Sequence, residues 1–154
     1  MHPNEILVET FYRSFQKLDA ETMSSCYHPE IRFSDPVFPL LVGAEASAMW
    51  RMLCSQAKNF ELNFSGIEAD DRLGKAHWEA FYDFSATGRR VSNRIDSEFE
   101  FLDGKIIKHT DAFDFWKWSR MALGSAGLLL GWTPLVRGKV QRQARERLSR
   151  FMNS

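Results

Sequence analysis

The chain has little of what marks the specialised protein classes. Two cysteines in 154 residues, Cys26 and Cys54, are too few for a disulfide framework and are typical of a reducing compartment. Twenty basic and twenty acidic residues cancel, which argues against a nucleic-acid-binding protein. The most apolar stretch, 122–132, is interrupted by two glycines and is too short to span a bilayer. The first residues lack the basic and apolar regions of a signal peptide, so we expect a cytoplasmic protein.

Motifs for metals, phosphates and covalent catalysis are also missing. No spacing of His, Cys and carboxylates is typical of a metal site, and no Gly-rich phosphate loop, nucleophile elbow or Cys–His pair is found. We therefore expect neither a metal nor a cofactor. Aromatic residues are abundant instead: thirteen Phe and five Trp indicate a deep apolar interior, which is either a packed core or a ligand pocket.

The hydrophobic period changes from helical to extended near residue 60. Before it, apolar spacing predicts three helices, the first capped by Asn4, the second by Asp19 and the third opened by Gly43. After it, apolar and polar residues alternate, and Asp103-Gly104 predicts a tight hairpin. Helices followed by an antiparallel meander predict an α+β fold. The predicted strands are 31–34, 60–64, 75–86, 93–101 and 105–115.

Alternation places four polar residues on the apolar face of two neighbouring strands. If Ile95 and Phe99 point inward, so do Asn93 and Ser97; if Ile107, Phe113 and Phe115 point inward, so do His109 and Asp111. A polar residue on a buried face needs a hydrogen-bond partner or a function. These four residues therefore form either a functional cluster or a structural group satisfied by internal hydrogen bonds.

Two further residues, Asp35 and Tyr12, are candidates for catalytic roles. Asp35 lies among Phe33, Val37 and Phe38, and apolar surroundings disfavour a charged carboxylate, which suits a general base. The alternative is that Asp35 caps the backbone amides of its own Asp-Pro turn. Tyr12 lies beside the buried stripe of the first helix, where its hydroxyl either stabilises an oxyanion or makes an ordinary core hydrogen bond.

Several segments of the chain resemble the landmarks of one known superfamily: 11–19, 26–36, Gly43, 87–89, 101–106 and 111–114. Through them the chain resembles the cone-shaped α+β superfamily of ketosteroid isomerases, SnoaL-type polyketide cyclases, limonene-epoxide-type hydrolases and the nuclear transport factor 2-like proteins. The resemblance implies a curved antiparallel sheet packed against three N-terminal helices over residues 1–116. It also implies a homodimer formed through the outer face of the sheet. Residues 117–154 are then an added C-terminal helical extension.

The resemblance implies catalytic roles for several residues. Asp35 matches the isomerase general base, and Tyr12 matches the oxyanion-hole tyrosine if one gap precedes Asp19; without the gap, Phe11 aligns instead. Ser97 stands where the isomerase has a second acid. His109 and Asp111 match the acid–base pair of polyketide cyclases. Asp111 also matches one aspartate of the epoxide hydrolases, but their arginine and other aspartate fall on Trp78 and Ala80.

Three functions remain open. One is a cofactor-free acid–base catalyst that acts on a small apolar ligand with a carbonyl group, using Asp35, Tyr12, His109 and Asp111. In that case Ser97, Asn93, Trp78, Tyr82, Phe113 and Trp50 bind the ligand. The second is a binding protein that holds such a ligand without turnover. The third is a dimeric adaptor whose cone is filled by side chains.

The C-terminal extension is charged oppositely to the rest of the chain. Residues 119–154 contain seven Lys and Arg against one acid, Glu146, giving +6, and residues 1–118 therefore carry −6. The stripe Val136, Val140, Ala144, Leu148 and Phe151 packs either on the protein's own acidic body or on its dimer partner. Alternatively, Leu128–Trp132 covers the mouth of the cone, or the extension contacts a membrane surface.

Overall fold

Three N-terminal helices and a six-stranded sheet form the body of the protein. The computed structural model describes all residues from 1 to 154 and has the predicted α+β class, with a curved sheet that does not close. The strands are β1 Tyr27–Ser34, β2 Leu41–Val42, β3 Glu61–Ala69, β4 Leu73–Asp83, β5 Arg90–Leu102 and β6 Lys105–Ala112. They lie in the sheet in the order β2-β1-β6-β5-β4-β3. The helices are α1 Pro3–Gln16, α2 Ala20–Ser25, α3 Ala44–Gln56, α4 Phe115–Leu123, α5 Ser125–Leu130 and α6 Pro134–Met152.

Strands β3 to β6 form the predicted antiparallel meander, and β5 and β6 join at Asp103-Gly104. The pairing of β1 with β6 is parallel, so the sheet is mixed at that edge. This pairing brings Phe33 beside His109, and β1 in turn packs against α2 and α3. The N-terminal half of the chain thus supplies one wall of the region in which the polar residues of β5 and β6 lie.

Helix α1 begins two residues earlier than predicted. His2, not Asn4, is the N-cap, and its imidazole Nδ1 accepts a hydrogen bond from the backbone N–H of Asn4 at 3.0 Å. Glu5 closes a capping box by accepting from the backbone N–H of His2 at 2.9 Å. The Asn4 side chain instead donates to the carbonyl of Asp70 at 2.9 Å. Asn has the higher N-cap propensity. In this helix, however, the imidazole of His2 accepts the capping hydrogen bond, and Pro3 at the first helical position favours a helix start there.

The register of β6 departs from simple alternation at one point. Glu100 pairs with Lys108 and Phe101 with Ile106, so Ile107 is an extra residue opposite the β5 backbone. Ile106 is therefore buried and Ile107 only partly so, which reverses the prediction for this pair. Beyond the bulge the alternation resumes, and His109 and Asp111 both point inward as predicted.

Strand β6 ends at Ala112 rather than near Phe115. Asp114 caps helix α4 by accepting a hydrogen bond from the backbone N–H of Lys117 at 3.1 Å. Phe115 is buried at the start of that helix, together with Trp118 and Ala122. The alternation of Phe113 and Phe115 resembled a strand, whereas the side chain of Asp114 allows the chain to turn into a helix.

The C-terminal extension packs on the protein's own body. Leu148 of α6 is buried in the main core, with Ala144 and Phe151 packed against it. Arg145 pairs with Glu45 of α3 at 2.6 Å, and Gln141 donates to the carbonyl of Pro36 at 3.0 Å. The alternative in which Leu128–Trp132 covers the mouth of the cone is not observed, because the large side chains of that segment face solvent and none lines the cavity.

None of the helices combines the length and the apolar character that a membrane span requires.

Candidate functional site

A cavity of about 230 Å³ lies between α3, β4, β5, α4 and α6. Twenty of its 28 lining residues are hydrophobic. A larger surface groove of about 540 Å³ runs along the β3–β4 turn, but only three of its eleven lining residues are hydrophobic. That groove contains none of the predicted site residues. A small organic ligand is better accommodated by the apolar cavity.

Seven of the predicted site residues line this cavity: Asp35, Asp111, Asn93, Trp50, Trp78, Tyr82 and Phe113. Tyr12, Ser97 and His109 do not line it. They are buried behind its wall, and His109 is completely removed from solvent. The structure therefore places the ten residues in one region but divides them into a lining set and a supporting set.

Two chains of hydrogen bonds, here called arms, connect the supporting residues to Asp111. The first arm runs from Trp50 through Tyr27 and His109 to Asp111. The Trp50 indole donates to the Tyr27 hydroxyl at 2.9 Å, and that hydroxyl lies 2.8 Å from His109 Nδ1. An ionised carboxylate only accepts, so the imidazole nitrogen that faces Asp111, Nε2, carries a proton, and Nδ1 of the neutral ring accepts the proton of Tyr27. His109 Nε2 then donates to Asp111 Oδ1 at 2.8 Å. Burial raises the pKa of Tyr27 well above its usual value, so its hydroxyl keeps the proton.

The second arm reaches the same oxygen through Ser97, which lies opposite Asp111 in the β5–β6 register. Ser97 Oγ donates to Asp111 Oδ1. It accepts a hydrogen bond from the Trp78 indole at 2.9 Å, and the Tyr12 hydroxyl lies 2.7 Å away. Because Ser97 has only one proton, Tyr12 must be the donor in that last contact. Burial raises the pKa of Tyr12 well above its usual value.

Both arms direct their donors at one oxygen of Asp111. The other oxygen, Oδ2, makes no hydrogen bond within the protein, and the residue lines the cavity. The cluster thus fixes the orientation of a carboxylate that presents a free oxygen to the cavity. The Tyr12 hydroxyl, rather than the ring of Phe11, enters this polar cluster, but its proton is used within the protein.

Asp35 combines the two roles that the sequence left open. Its Oδ1 accepts hydrogen bonds from the backbone N–H groups of Val37 at 2.7 Å and Phe38 at 2.6 Å, so it caps its own turn. It also lines the cavity, and Oδ2 has no partner within the protein. It makes no hydrogen bond to Tyr12 or His109. Burial raises the pKa of Asp35 to about 7, and the Asp111 charge adds to the increase.

Two further polar groups face the cavity without using their full hydrogen-bonding capacity. Asn93 is only 7% exposed, yet its side-chain amide has no partner within the protein. Tyr82 accepts from the Trp118 indole at 2.9 Å, which leaves its own proton free to donate. Burial raises the pKa of Tyr82 to about 12, so it remains a donor. Such convergent polar groups in an apolar cavity are typical of ligand sites.

The sequence reasoning missed Tyr27 and the contribution of the C-terminal extension. Tyr27 has the same parity as Ile31 and Phe33, so extending the predicted strand backwards by period two would have found it. Trp118 of α4 and Val140, Gln143, Ala144 and Arg147 of α6 complete the cavity wall. No local pattern shows that these residues return to the site, because their contacts are long-range.

No group of three or more His, Cys and carboxylate side chains is arranged to hold a metal ion. The polar groups that line the cavity with unused hydrogen-bonding capacity are Asp35, Asp111, Asn93 and Tyr82.

Residues 8–109 match the model of the SnoaL-like domain family. The chain belongs to this family. No curated protein matches the sequence, so the SnoaL-like assignment rests on the family model and on solved structures.

Solved structures of the same fold are distant in sequence. An epoxide hydrolase of M. tuberculosis resembling limonene-epoxide hydrolase is 21% identical, with 82% of this chain and 92% of that chain covered and a TM-score of 0.66. A nuclear transport factor 2-like protein of unknown function from Burkholderia pseudomallei is 14% identical, with 79% and 98% covered and a TM-score of 0.68. A candidate polyketide cyclase from Silicibacter is 18% identical, with 75% and 91% covered and a TM-score of 0.65. These similarities establish the fold of the SnoaL-like domain.

Proposed function

We propose that this SnoaL-like protein is a cofactor-free acid–base catalyst acting on a small, apolar ligand with a carbonyl group. Asp35 is the general base in this proposal. A base is most effective when its pKa lies near the working pH, and burial in the cavity raises the pKa of Asp35 to about 7. This observation carries the proposal, because it distinguishes Asp35 from a carboxylate that merely caps a turn.

The proposed reaction moves a proton next to the carbonyl group. Asp35 Oδ2 takes the proton from the adjacent carbon, and the electron pair of the C–H bond delocalises onto the carbonyl oxygen. Asn93 and Tyr82 donate hydrogen bonds to that oxygen as it becomes negative. Protonated Asp35 then returns the proton to the same carbon or to another. The oriented Asp111 carboxylate contributes by favouring the protonated form of Asp35.

The experiment is hydrogen exchange of candidate ligands in D₂O. The purified protein is incubated with enones, cyclic ketones and β-ketoesters, and deuterium uptake next to the carbonyl is followed by mass spectrometry. We expect Asp35→Asn to slow catalysed exchange by about 10²–10⁴-fold. Asp103→Asn is the matched control, because Asp103 is exposed in a turn with positive φ, which Asn tolerates. Equal exchange by wild type and Asp35→Asn would overturn the assignment of the base.

A non-catalytic ligand-binding protein is the second candidate. The specific observation in its favour is that the Tyr12 proton is directed to Ser97 and not into the cavity. Neither residue can then serve as the oxyanion donor that the isomerase resemblance implied. Ligand binding detected by thermal shift, with no deuterium uptake from any of the compounds, would favour this function over catalysis.

An adaptor function is less well supported, because the cavity is not filled by side chains. A homodimer remains a proposal by analogy with the family. Sedimentation velocity over a range of protein concentrations tests it independently of ligand binding.

A further inference from the structure

The turn between α5 and α6 exposes five large apolar side chains within eight residues. They are between 49% and 75% exposed, whereas most large apolar residues of the chain are buried or partly buried. Single exposed apolar residues are ordinary, but a contiguous group marks an interaction site. This leucine patch consists of Leu128, Leu129, Leu130, Trp132 and Leu135.

The glycines of this segment explain why the leucines point outward. Gly127 and Gly131 are four residues apart and face Ser119 of α4. A Cβ at Gly127 would lie 1.9 Å from the Ser119 carbonyl oxygen, and one at Gly131 would lie 2.0 Å from Ser119 Oγ. Helix α5 therefore docks through its smallest residues and directs its largest ones to solvent. This is the reverse of a helix that packs its apolar face on the core.

The exposed leucines of the patch surround much of helix α5 rather than lying along one face of it. Leu128, Leu129 and Leu130 are consecutive in a helix, so their directions span about 200° around its axis. A helix that packs on one protein surface needs an apolar stripe of roughly half that width. Exposure over such a wide angle suits insertion into a surrounding apolar layer better than contact with a second folded surface.

The stretch of sequence that contains the patch carries charge of one sign, although one of its basic residues, Arg145, pairs with Glu45 of α3. Residues 115–145 contain no acidic residue and six basic ones: Lys117, Arg120, Arg137, Lys139, Arg142 and Arg145. Basic side chains next to Trp and Leu are the composition of segments that lie at an anionic membrane surface. Tryptophan prefers the headgroup region, and Trp132 is among the most exposed residues of the patch.

We infer that the leucine patch docks the protein on the surface of an anionic lipid bilayer. Its leucines and Trp132 enter the boundary between headgroups and acyl chains, and Lys139 and Arg142 contact lipid phosphates. The interaction is peripheral. It does not depend on the proposed catalysis, because none of the five patch residues lines the cavity.

The test is co-sedimentation of the full chain with vesicles of phosphatidylcholine alone or mixed equally with phosphatidylglycerol. We expect binding to the mixed vesicles that weakens with salt, since surface charges are screened beyond about 10 Å at 0.1 M. Leu129→Ser combined with Trp132→Ser should reduce binding more than tenfold. Lys139→Gln and Arg142→Gln should each reduce it about fivefold. Leu73→Ser is the matched control, because Leu73 is 57% exposed outside the patch and should leave binding unchanged.

Two results would overturn the inference. One is an absence of binding to the anionic vesicles. The other is a Leu129→Ser/Trp132→Ser variant that binds vesicles as well as wild type. If sedimentation velocity shows that the same variant loses self-association while vesicle binding is absent, the patch instead contacts a second copy of this chain.

Discussion

Asp35 shows how one side chain can be both structural and reactive. Two backbone N–H groups hold Oδ1 in a turn that includes Pro36, and this fixes the direction of Oδ2. Those N–H groups stabilise the carboxylate, but burial outweighs them and raises the pKa of Asp35 to about 7. The same turn would form with an asparagine at this position, because an amide oxygen also accepts hydrogen bonds. Substitution can thus separate the acid–base role from the structural one.

The raised pKa makes the stability of the protein depend on pH. An unfolded Asp has a pKa of about 3.9, so between about pH 4 and 7 the folded state retains a proton that the unfolded state releases. Stability from this residue is therefore lost as the pH rises to about 7 and is constant above it. We expect the Asp35→Asn variant not to show this loss. Its free energy of unfolding should therefore rise relative to that of wild type by up to about 1.4 kcal/mol for each pH unit between about pH 4 and 7. Urea unfolding at pH 4.5 to 8 measures it, and a difference independent of pH would contradict it.

Tyr27 donates to Nδ1 of His109, and the proton of the neutral ring lies on Nε2, which faces Asp111. We expect Tyr27→Phe to change the ¹⁵N shifts of the His109 ring, because Nδ1 loses its only donor. Tyr82→Phe is a close control: it removes the acceptor of the Trp118 indole, as Tyr27→Phe removes that of Trp50. Each variant should lose about 1–3 kcal/mol of stability from the unpaired indole N–H. Identical His109 spectra in wild type and Tyr27→Phe would contradict the orientation of the cluster.

For individual residues, the sequence predicted which side chains share a strand face better than it predicted which groups donate hydrogen bonds and which accept them. Alternation along β5 and β6 placed Asn93, Ser97, His109 and Asp111 on one face, since period two follows from strand geometry. It could not predict that Tyr12 donates to Ser97. That direction depends on Asp111 of β6, which takes the one proton of Ser97 and leaves Tyr12 to donate. Donor counting across three elements requires coordinates.

Among the elements, α5 is held by close contact of glycines with α4. We expect Gly127→Ala to destabilise the protein by about 1–3 kcal/mol, because the new methyl group would overlap the Ser119 carbonyl and must force the helices apart. Gly138→Ala in α6 is the control, because we expect it to change stability in the opposite direction. Its Cβ would meet nothing closer than Arg142 at 3.6 Å, and it should stabilise the helix by about 0.5–1 kcal/mol. Thermal unfolding of both variants measures the difference, and destabilisation by both would contradict it.

The predicted elements were confirmed where local signals were strong and displaced where a contact from outside the segment decided the boundary. Asp19 and Gly43 begin α2 and α3 as predicted, because a side-chain cap and a positive φ are local properties. The bulge at Ile107 is not a local property. It arises from the way β6 pairs with β5, and the chain shows no Gly or Pro there to mark it.

For the molecule as a whole, the C-terminal extension is a wall of the cavity and not an appendage to a finished cone. Helix α6 contributes Leu148 to the core and Val140, Gln143, Ala144 and Arg147 to the cavity lining. The opposite charges of body and extension meet at the Arg145–Glu45 pair. That pair is partly exposed, so its contribution is small, about 0.2–1 kcal/mol. Apolar burial must therefore supply most of the attachment, and this sets the outcome of removing the helix.

We expect a chain that ends at Trp132 to be less stable than wild type and to exchange the backbone amides of α3 faster, because α6 packs on α3. Leu148→Ala should lose about 2–5 kcal/mol by itself, since this side chain is buried in the core. Lys139→Gln is the control, because an exposed lysine on the same helix should change stability by less than about 0.5 kcal/mol. Unchanged α3 exchange and unchanged melting in the shortened chain would show that residues 1–132 form the cone without α6. The cavity would then be open on the side where α6 now closes it.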